Sequence, residues 1–379
     1  MSTGVPPLRD FLAKIPEFRK AKGKRYPLLT LLLYVCVAML CGRFSQAAIA
    51  AWGTDYGQRG LAALGIHHGQ GPSQSTLHRL FKGIDPTDLE EALCQWAQAV
   101  LHQLAPDLAL EPVAIDGKTL NGSEKQGASE AHLLSALSQR LAIVLGQVAI
   151  PDETNEIGVI PQLLTLRGVA GRVFTMDALH TQRETAQLIV DGHGDYVQVV
   201  KDNQPQLLED ITTLFEQPRM VAETLQEAHT TTLHGDRIEG RHLLSSTALV
   251  GYTAWPGLQQ VMKLERWTWD KQHHRISDEV VYGVTSLTRE QASAAQLLTL
   301  WREHWHIENK LHYVRDVTCA EDRSQVRTGA IPHVMAAFRN VTLSLFRLQG
   351  WRNIAAACRR FAACPKLAFN ALDLPTENE

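Results

Sequence analysis

The sequence predicts an α/β fold in which a mixed sheet follows an all-helical N-terminal domain and carries a β-rich insertion. Helix-start residues and apolar positions of helical period occupy the first part of the chain, whereas short β-branched segments take over from Pro112. A second concentration of β-forming residues, between Thr230 and Thr285, predicts the insertion. The predicted parts are a helical domain over 1–108, the first part of the α/β core over 109–228, the β-rich insertion over 229–288, a helical end of the core over 289–348 and a helical tail over 349–379 whose last residues, 376–379, are expected to be disordered.

The composition limits the class of protein. The chain has 379 residues with 45% hydrophobic and 20% charged content, which is typical of a soluble globular protein of two or three domains. The formal net charge of −3 provides no bulk attraction to nucleic acid, so any such contact must come from local basic patches. Six scattered cysteines without a Cys-x-x-Cys pair predict reduced thiols in a cytoplasmic protein and argue against a zinc site. The most apolar run, 27–42, is too short to span a bilayer and predicts a core helix.

The helical domain contains the densest positive run of the sequence, five cations between Arg19 and Arg25. A solvated turn before a helix and a phosphate-binding arm are both consistent with such a run. Its candidate phosphate contacts are Lys20, Lys22, Lys24 and Arg25. After the apolar helix, residues 45–52 predict a short helix capped by Ser45.

A further helix is predicted after Gly71, because Pro72 and Ser73 are helix-start residues and 77–81 supply an apolar face. The opposite side carries polar groups, of which Gln74, Ser75 and Arg79 are candidates to contact bases or phosphates. A short helix of this kind after a tight turn suits a reader of the DNA major groove, although helical bundles that do not bind DNA show the same pattern. Residues 85–88 then predict the cap of a long helix that continues to Leu101.

The α/β core has a recognisable order of elements. Strands are predicted at 113–115, 132–137 and 142–150, a helix at 160–166, a strand at 173–176, a helix at 182–190 and a strand at 196–200. Three strands in a row, followed by alternating helix and strand, is the order of a ribonuclease-H-like mixed five-stranded sheet. Other mixed α/β folds share the same periodicity. Within the insertion, strands are predicted at 243–250, 261–269 and 279–284.

Three acidic residues stand in informative positions. Asp116 and Asp177 each follow a short apolar segment that predicts a buried strand, and Glu308 lies in a stretch, 301–309, whose lack of Pro and Gly predicts a helix. Two carboxylates at strand ends and one on a late helix can hold a pair of divalent metal ions for phosphodiester chemistry. The alternative for each residue is a surface acid or a helix cap.

Two histidines flank the third acidic residue. His304, Glu308 and His312 recur every four residues, which predicts that they share one helix face. Such a set could hold a transition metal ion, because imidazole shifts the preference of a site away from Mg²⁺. A phosphate contact, or packing beside Trp301 and Trp305, is the favoured interpretation of the two histidines.

Several segments, in order along the chain, resemble those of a known family. They are Ala114–Leu120, Met176–Gln182, Val200–Pro205, His304–His312, Asp316–Thr318, Glu321–Asp322 with Arg327 and, before the core, Ile15–Glu17, Lys24–Leu28 and Pro72–Thr76. With these segments the chain resembles the DDE transposases of bacterial insertion sequences, in the branch that includes the H-repeat-associated proteins. The resemblance covers about nine-tenths of the chain.

The resemblance implies that Asp116, Asp177 and Glu308 are both the catalytic residues and the ligands of Mg²⁺ or Mn²⁺. It further implies a metal-dependent enzyme that cleaves and joins double-stranded DNA at the ends of an insertion sequence and at a target. Because two ends of the element must be cut and joined together, the resemblance also implies self-association, as a dimer on DNA. The expected location is the bacterial cytoplasm at the nucleoid, without a membrane partner.

Further candidate DNA contacts lie in the core and the insertion. They are Lys118, Lys201, Asn203 with Gln204, Arg237, Arg241, His304, His312, and Arg327 with Arg323. A plain surface lysine at 118 and simple salt bridges for the arginines are the alternatives.

The chain also departs from the family pattern. Glu153 stands before Asn155-Glu156-Ile157 where relatives usually carry lysine, and Trp301, His304 and Arg315 occupy the Tyr, Arg and Lys positions of a familiar Tyr-Arg-Glu-Lys signature. The alternative function is therefore a host-retained DNA-binding protein or nuclease derived from a transposase, without transposition. A Mg²⁺-dependent nicking test separates the first of these from an active enzyme.

Overall fold

The computed structural model describes residues 5–21, 24–56, 58–105, 110–120, 131–270 and 274–375. Two compact units divide the chain. The first comprises Met1–Asp107, Gly117–Asn155 and His306–Glu379, and the second comprises Leu108–Asp116 and Glu156–Trp305. Two predicted features, the phosphate contact of Lys22 and the disordered end at 376–379, lie outside the described residues.

In chain order the helices are α1 (Leu8–Leu12), α2 (Leu28–Leu40), α3 (Gln46–Tyr56), α4 (Gln58–Ala63), α5 (Gln74–Gly83), α6 (Pro86–Leu104), α7 (Glu156–Arg167), α8 (Arg183–Asp191), α9 (Pro205–Glu216), α10 (Pro218–Val221), α11 (Ala294–His304), α12 (Ile331–Leu348), α13 (Ile354–Ala363) and α14 (Lys366–Ala371). The strands are β1 (Glu111–Thr119), β2 (His132–Ser138), β3 (Val144–Ile150), β4 (Arg172–Met176), β5 (Asp195–Val200), β6 (Gln226–His234), β7 (Arg237–Ser246), β8 (Gln260–Asp270) and β9 (Arg275–Thr285). Two π-helical segments, Glu308–His312 and Val314–Thr318, follow α11. Within the described residues, none of the helices combines the length and the apolar character needed to cross a bilayer.

The helical part of the first unit is organised around α2, whose residues from Leu31 to Leu40 are all buried. The predicted helix starts are confirmed by their caps. The Ser73 hydroxyl accepts a hydrogen bond from the backbone N–H of Thr76, and the Asp85 carboxylate accepts one from that of Thr87. Each cap satisfies a donor that the first turn of a helix leaves without a partner.

A buried polar network joins α6, β3 and α12 in the same unit. The Gln147 amide on β3 donates to Glu90 Oε1 on α6 at 2.7 Å and accepts from the Asn340 amide on α12 at 2.8 Å. Buried amide and carboxylate groups are costly unless they are paired. The network therefore fixes the alignment of the three elements in addition to their apolar contacts.

The sheet of the second unit has the order β1-β4-β5-β9-β8-β7-β6, starting from the first residues of β1. The pairs β1/β4 and β4/β5 are parallel, and every later pair is antiparallel. Helix α11 covers one face, where Leu298 and Trp301 belong to the same apolar cluster as Leu243 and Leu264. In the first unit, β2 and β3 form an antiparallel pair that continues the order β3-β2-β1.

The structure differs from the sequence-based expectations in the insertion. Strand β6 was not predicted, because Gln226–His234 is rich in polar residues, and neither was α9. The strands of the insertion also continue the sheet, since β9 pairs with β5 from Val197↔Thr285 to Val200↔Tyr282. The boundaries of the five parts remain predictions.

The helix predicted at 301–309 is wrong in one respect. Helix α11 ends at His304, and Glu308 begins a π-helical segment in which the backbone N–H of Tyr313 bonds to the carbonyl of Glu308. A bond to the fifth residue back widens the helix and changes the direction of side chains relative to an α-helix. His304 therefore does not share an uninterrupted helix face with Glu308 and His312.

Candidate active site

Asp116 and Asp177 occupy equivalent positions on neighbouring strands of the second unit. Strands β1 and β4 are parallel, and their register pairs Ala114 with Thr175. Two residues further along each chain stand Asp116, half-buried near the end of β1, and Asp177, directly after β4. Paired strands lie about 4.8 Å apart and residues in register point to the same face. The two carboxylates predicted to act together therefore leave the same edge of the sheet side by side.

The carboxylate of Asp177 is held by a buried histidine from its own loop. Asp177 Oδ1 accepts a hydrogen bond from the backbone N–H of His180 at 3.2 Å and lies 2.7 Å from the ring Nδ1 of His180. The other ring nitrogen, Nε2, lies 2.8 Å from Glu156 Oε2 on α7. His180 is fully buried, whereas the Asp177 side chain is 47% exposed. One side of the Asp177 carboxylate is thus fixed, and the group as a whole remains accessible.

This contact sets the charges of both groups. Burial by itself lowers the pKa of His180, but its close contacts with the carboxylates of Asp177 and Glu156 raise that pKa to about 9. Burial raises the pKa of Asp177, but the same histidine and the nearby His304 hold it below its ordinary value. At neutral pH an imidazolium therefore contacts the ionised carboxylate of Asp177.

The loop after β4 is tied to the loop after β5. The Thr181 hydroxyl donates to the carbonyl of Val199 at 2.6 Å, and the Asn203 amide donates to the carbonyl of Ala178 at 2.7 Å. The Gln204 amide donates to the carbonyl of Thr181 at 3.0 Å. The Asn203 amide thus positions the loop that carries Asp177, and the DNA contact predicted for Asn203 remains a prediction. Lys201 is exposed beside it, and its DNA contact remains a prediction.

His304 also belongs to the second unit. Its ring Nδ1 lies 3.0 Å from the Thr175 hydroxyl on β4, two residues before Asp177. A half-buried side chain in this position connects the end of α11 to the strand that ends at the active-site edge. The phosphate contact of His304 remains a prediction beside this contact within the protein.

Glu308 lies in the first unit, where it is paired with His312. The His312 Nδ1–H donates to Glu308 Oε2 at 3.1 Å, and the Glu308 side chain is 49% exposed. That bond lowers the pKa of Glu308. His312 is only 3% exposed, and its burial, together with the charges of Arg315 and Lys118, lowers its pKa. His312 is thus buried against Glu308, and the DNA contact predicted for it remains a prediction.

Lys118 is not a plain surface lysine, and its predicted phosphate contact remains a prediction. Its ammonium group is almost fully buried and lies 2.6 Å from Asp316 Oδ2. Burial raises the pKa of Asp316, and the hydrogen bond from Lys118 opposes that shift. Asp316, the first residue of the Asp316–Thr318 motif, is thus the partner of Lys118.

Sequence reasoning also missed the role of Arg315. Its guanidinium is fully buried and donates to Glu321 Oε2 at 2.7 Å, and Arg339 donates to the other oxygen of Glu321 at 2.9 Å. An acid six residues after an arginine was the available signal. This ion pair anchors the second π-helical segment to α12.

The basic run and helix α5 line a single cleft of about 580 Å³ in the first unit. The run contributes Lys20, Lys24 and Arg25 to its walls, and the α5 region contributes Ser73 and Arg79. These two features were predicted separately as candidate phosphate or base contacts. A cleft lined by cations from two segments favours a polyanionic ligand.

Part of the basic run is folded against acidic and polar groups. Arg19 Nη2 lies 2.7 Å from Glu17 Oε2, and this hydrogen bond lowers the pKa of Glu17 to about 2. Lys24 lies 3.5 Å from the same oxygen, and Arg25 donates to the Gln70 side chain at 3.0 Å. The described residues of the run, 19–21 and 24–25, therefore make defined contacts at the cleft. Gln74 and Ser75 are exposed on the first turn of α5, and their contacts remain predictions.

The arginines of the insertion and of the late loop differ from one another. Arg241 on β7 is bound to Glu239 Oε2 at 2.7 Å and is only 17% exposed, as in the salt-bridge alternative, and its DNA contact remains a prediction. Arg237, Arg323 and Arg327 are exposed, and their contacts remain predictions.

Comparison with known proteins identifies the family. Residues 109–345 match the family described as Transposase DDE domain. The chain belongs to this family. Residues 9–97 match the segment described as DDE_Tnp_1-associated, which covers most of the helical first part. The family predicted from the motifs is thereby confirmed, and the chain is a transposase.

The relatives identify the branch. "H repeat-associated putative transposase YhhI" of Escherichia coli (strain K12) is 27% identical over 355 residues, which cover 89% of each chain. "Putative transposase YncI" of Escherichia coli O157:H7 is 28% identical over 359 residues, 90% of this chain and 88% of the relative. Among solved structures, "Cryo-EM structure of piggyBac transposase synaptic complex with hairpin DNA (SNHP)" is similar over 97% of this chain and 77% of that chain, with a TM-score of 0.43 and 11% identity. The transposase belongs to the H-repeat-associated branch.

Proposed function

We propose that this transposase cleaves DNA at the ends of its insertion sequence and joins them to a target with Mg²⁺ or Mn²⁺ held by Asp116, Asp177 and Glu308. One observation carries the proposal: the parallel register of β1 and β4 brings Asp116 and Asp177 out at the same edge of the sheet. Glu308, half exposed in the first unit, is the proposed third ligand.

The donor set fits a hard cation. All three proposed ligands are carboxylates, and Mg²⁺ prefers oxygen ligands while keeping several of its waters. The side chains of Asp177 and Glu308 are each about half exposed, which leaves room for those waters. Both carboxylates have a pKa below their ordinary value, so they are ionised at neutral pH without the metal.

The protein's own groups have separate tasks in the proposed reaction. When bound, the metal ions make a water or a 3′-hydroxyl nucleophilic and stabilise the leaving oxyanion. His180 keeps its proton and holds one oxygen of Asp177, so that the other oxygen faces outward. Asn203 and Thr181 keep the loop of Asp177 from moving when DNA binds. His312 orients Glu308 by the hydrogen bond from Nδ1.

The core sheet supports a ribonuclease-H-like assignment, which we also propose. Strands β3, β2 and β1 follow one another in the first unit, and β1, β4 and β5 follow one another in the second. The parallel pairs β1/β4 and β4/β5 and the antiparallel pair β2/β3 have the directions that the proposed five-stranded sheet requires.

Double-stranded DNA is the proposed partner, with self-association into a dimer on DNA and a location at the bacterial nucleoid. The basic cleft of the first unit supplies the proposed contacts to the element's ends. The alternative of a host-retained DNA-binding protein or nuclease is not favoured, because the family match and the three acidic residues are both present.

The metal site is tested with DNA that carries the ends of the element encoding this chain. The variants Asp116→Asn, Asp177→Asn and Glu308→Gln should each reduce Mg²⁺-dependent cleavage to below about one hundredth of the starting rate, while DNA binding persists. Asp191→Asn, at the exposed end of α8, is the matched control and should cleave normally. Chelation of the metal should abolish cleavage in every case. Full cleavage by the Asp177→Asn protein would end the proposal.

The DNA cleft is tested by two kinds of substitution. Lys20→Ala with Lys24→Ala should weaken binding to all sequences alike and reduce the salt dependence, because phosphate contacts carry no base information. Arg79→Ala should instead change the preference for the element's ends. Both are measured by fluorescence anisotropy at several salt concentrations. Unchanged affinity in all three substitutions would contradict the assignment of the cleft.

A further inference from the structure

A second group of possible metal ligands lies on the insertion strands β6, β7 and β8 of the second unit. His229 on β6 is paired in register with His242 on β7, and His242 is paired with Glu265 on β8. Residues in register on neighbouring strands point to the same face. Leu243 and Leu264, the adjacent positions on β7 and β8, point the other way into the core. The two histidines and Glu265 therefore form a row on the outer face of the sheet.

Glu227 extends this row, because it stands two residues before His229 and so points to the same face. Glu227 Oε2 lies 3.2 Å from His242 Nε2 and 3.8 Å from His229 Nε2. The two imidazole rings are stacked, with centroids 3.9 Å apart and planes 13° from parallel. One donor atom each from Glu227, His229 and His242 can be chosen so that all of them lie within 4.8 Å of one another. Three donors at this separation can be reached by one cation.

Glu265 also orients the ring of His242, through a contact with Nδ1. Its Nδ1 lies 3.4 Å from Glu265 Oε2, while Lys263 holds the other oxygen of Glu265 at 2.8 Å. A carboxylate behind Nδ1 places the proton there and leaves the lone pair of Nε2 for a ligand. Metal-binding histidines in proteins are commonly held in this way.

We propose that Glu227, His229 and His242 bind one divalent transition metal ion of the Zn²⁺ class, with Glu265 as the residue that positions His242. Two imidazoles and one carboxylate suit Zn²⁺ or Co²⁺, whereas Mg²⁺ prefers oxygen ligands alone. The cysteine spacing argued against a zinc site formed by cysteines, whereas the ligands proposed here are two histidines and one glutamate. The bound ion would join β6, the last strand of the sheet order, to its neighbour β7.

The site is tested on the full-length protein, free of any histidine tag, by calorimetric titration with Zn²⁺ and by the visible absorption of Co²⁺. Excess Mg²⁺ is present throughout to occupy the oxygen-ligand site of the proposed function. The unsubstituted protein should bind one ion with a tetrahedral or five-coordinate Co²⁺ spectrum. The His229→Ala and His242→Ala proteins should lose this binding, and Glu265→Gln should weaken it by about 10- to 100-fold.

Controls separate this site from misfolding and from the proposed active site. His229 is 59% exposed, so its replacement should leave the circular dichroism spectrum unchanged. His102→Ala, an exposed histidine on α6, should bind Zn²⁺ normally. Binding that survives in the His229→Ala/His242→Ala protein but disappears in the Asp116→Asn/Asp177→Asn protein would assign the ion elsewhere and overturn the inference. An unsubstituted protein that binds no more Zn²⁺ than the double histidine variant would overturn it as well.

Discussion

Two histidine–carboxylate pairs support the proposed active site, and they differ in charge. His180 contacts Asp177 and Glu156, and its pKa is raised to about 9. His312 contacts Glu308, and its pKa is lowered. Both histidines are buried and each holds a carboxylate that is about half exposed. The first pair is ionic, whereas the second is a hydrogen bond from a neutral ring.

The difference comes from the groups around each ring. Burial opposes charge on both histidines, but two carboxylates contact His180, whereas one carboxylate and two cations, Arg315 and Lys118, influence His312. Two buried histidines that each contact a half-exposed carboxylate therefore have opposite pKa shifts, because the groups around each ring differ. A histidine near a candidate active-site acid cannot be assigned a charge from its spacing in the sequence.

The largest expected effect is that of His180→Ala. Removal of the imidazolium leaves the carboxylates of Asp177 and Glu156 without their shared cation, and the free energy of unfolding should fall by about 2–4 kcal/mol, less than for a fully buried pair because both acids are partly exposed. DNA cleavage should fall with it, since Asp177 loses its orientation. Urea unfolding and the cleavage rate measure these effects, with His102→Ala as the matched control. A loss in the free energy of unfolding below about 0.5 kcal/mol would show that no ionic pair at His180 stabilises the fold.

The pH dependence of stability sharpens the same contrast. The pKa of His180 is raised in the folded protein from 6.5 to about 9, so its stabilising contribution is complete below 6.5 and is lost as the pH rises through about 9. The stability difference between the unsubstituted protein and His180→Gln should therefore shrink over this window. Unfolding curves at several pH values provide the measurement. A difference that stays constant up to pH 9 would show that His180 is neutral.

His312→Ala should have a smaller effect. It removes one hydrogen bond from a neutral ring together with some packing, which corresponds to about 1–3 kcal/mol of stability. The orientation of Glu308 should suffer, with a reduced cleavage rate. His312→Asn keeps a donor near the position of Nδ1 and should restore part of the rate, which a purely structural role would not require. Equal rates for the alanine and asparagine variants would contradict the positioning role.

The smallest expected effect concerns Lys118. Its charge contributes to lowering the pKa of His312, so that Lys118→Met should raise that pKa. Titration of the His312 ring followed by NMR gives the direction. An unchanged or lowered value would mean that burial and Arg315 account for the neutral ring without Lys118.

Local signals predicted much of the fold. Ser73 and Asp85 cap the helices that they were expected to begin, and the strands of Asp116 and Asp177 are parallel neighbours, although β1 continues beyond Asp116 to Thr119. These features depend on a few adjacent residues, and short-range chemistry is visible in a sequence.

Partners that are distant in sequence were not predictable in the same way. Lys118 meets Asp316 only because the fold brings together residues 198 positions apart. The contact of His180 with Glu156 depends on where α7 packs, and β6 is a strand because β7 pairs with it despite its polar composition. Tertiary context overrides local preference in each case. The residue types around Glu308 likewise do not indicate a π-helical turn.

The tie between the loops after β4 and β5 has a consequence for how the family can diversify. Asn203 and Gln204 bind backbone carbonyls of Ala178 and Thr181, so they hold the path of the loop whatever side chain stands at position 179. Leu179 is 47% exposed and is separated from Asp177 by one residue. Evolution can therefore exchange this side chain, and with it the exposed surface beside the proposed catalytic aspartate, without a matching change in the residues that hold the aspartate.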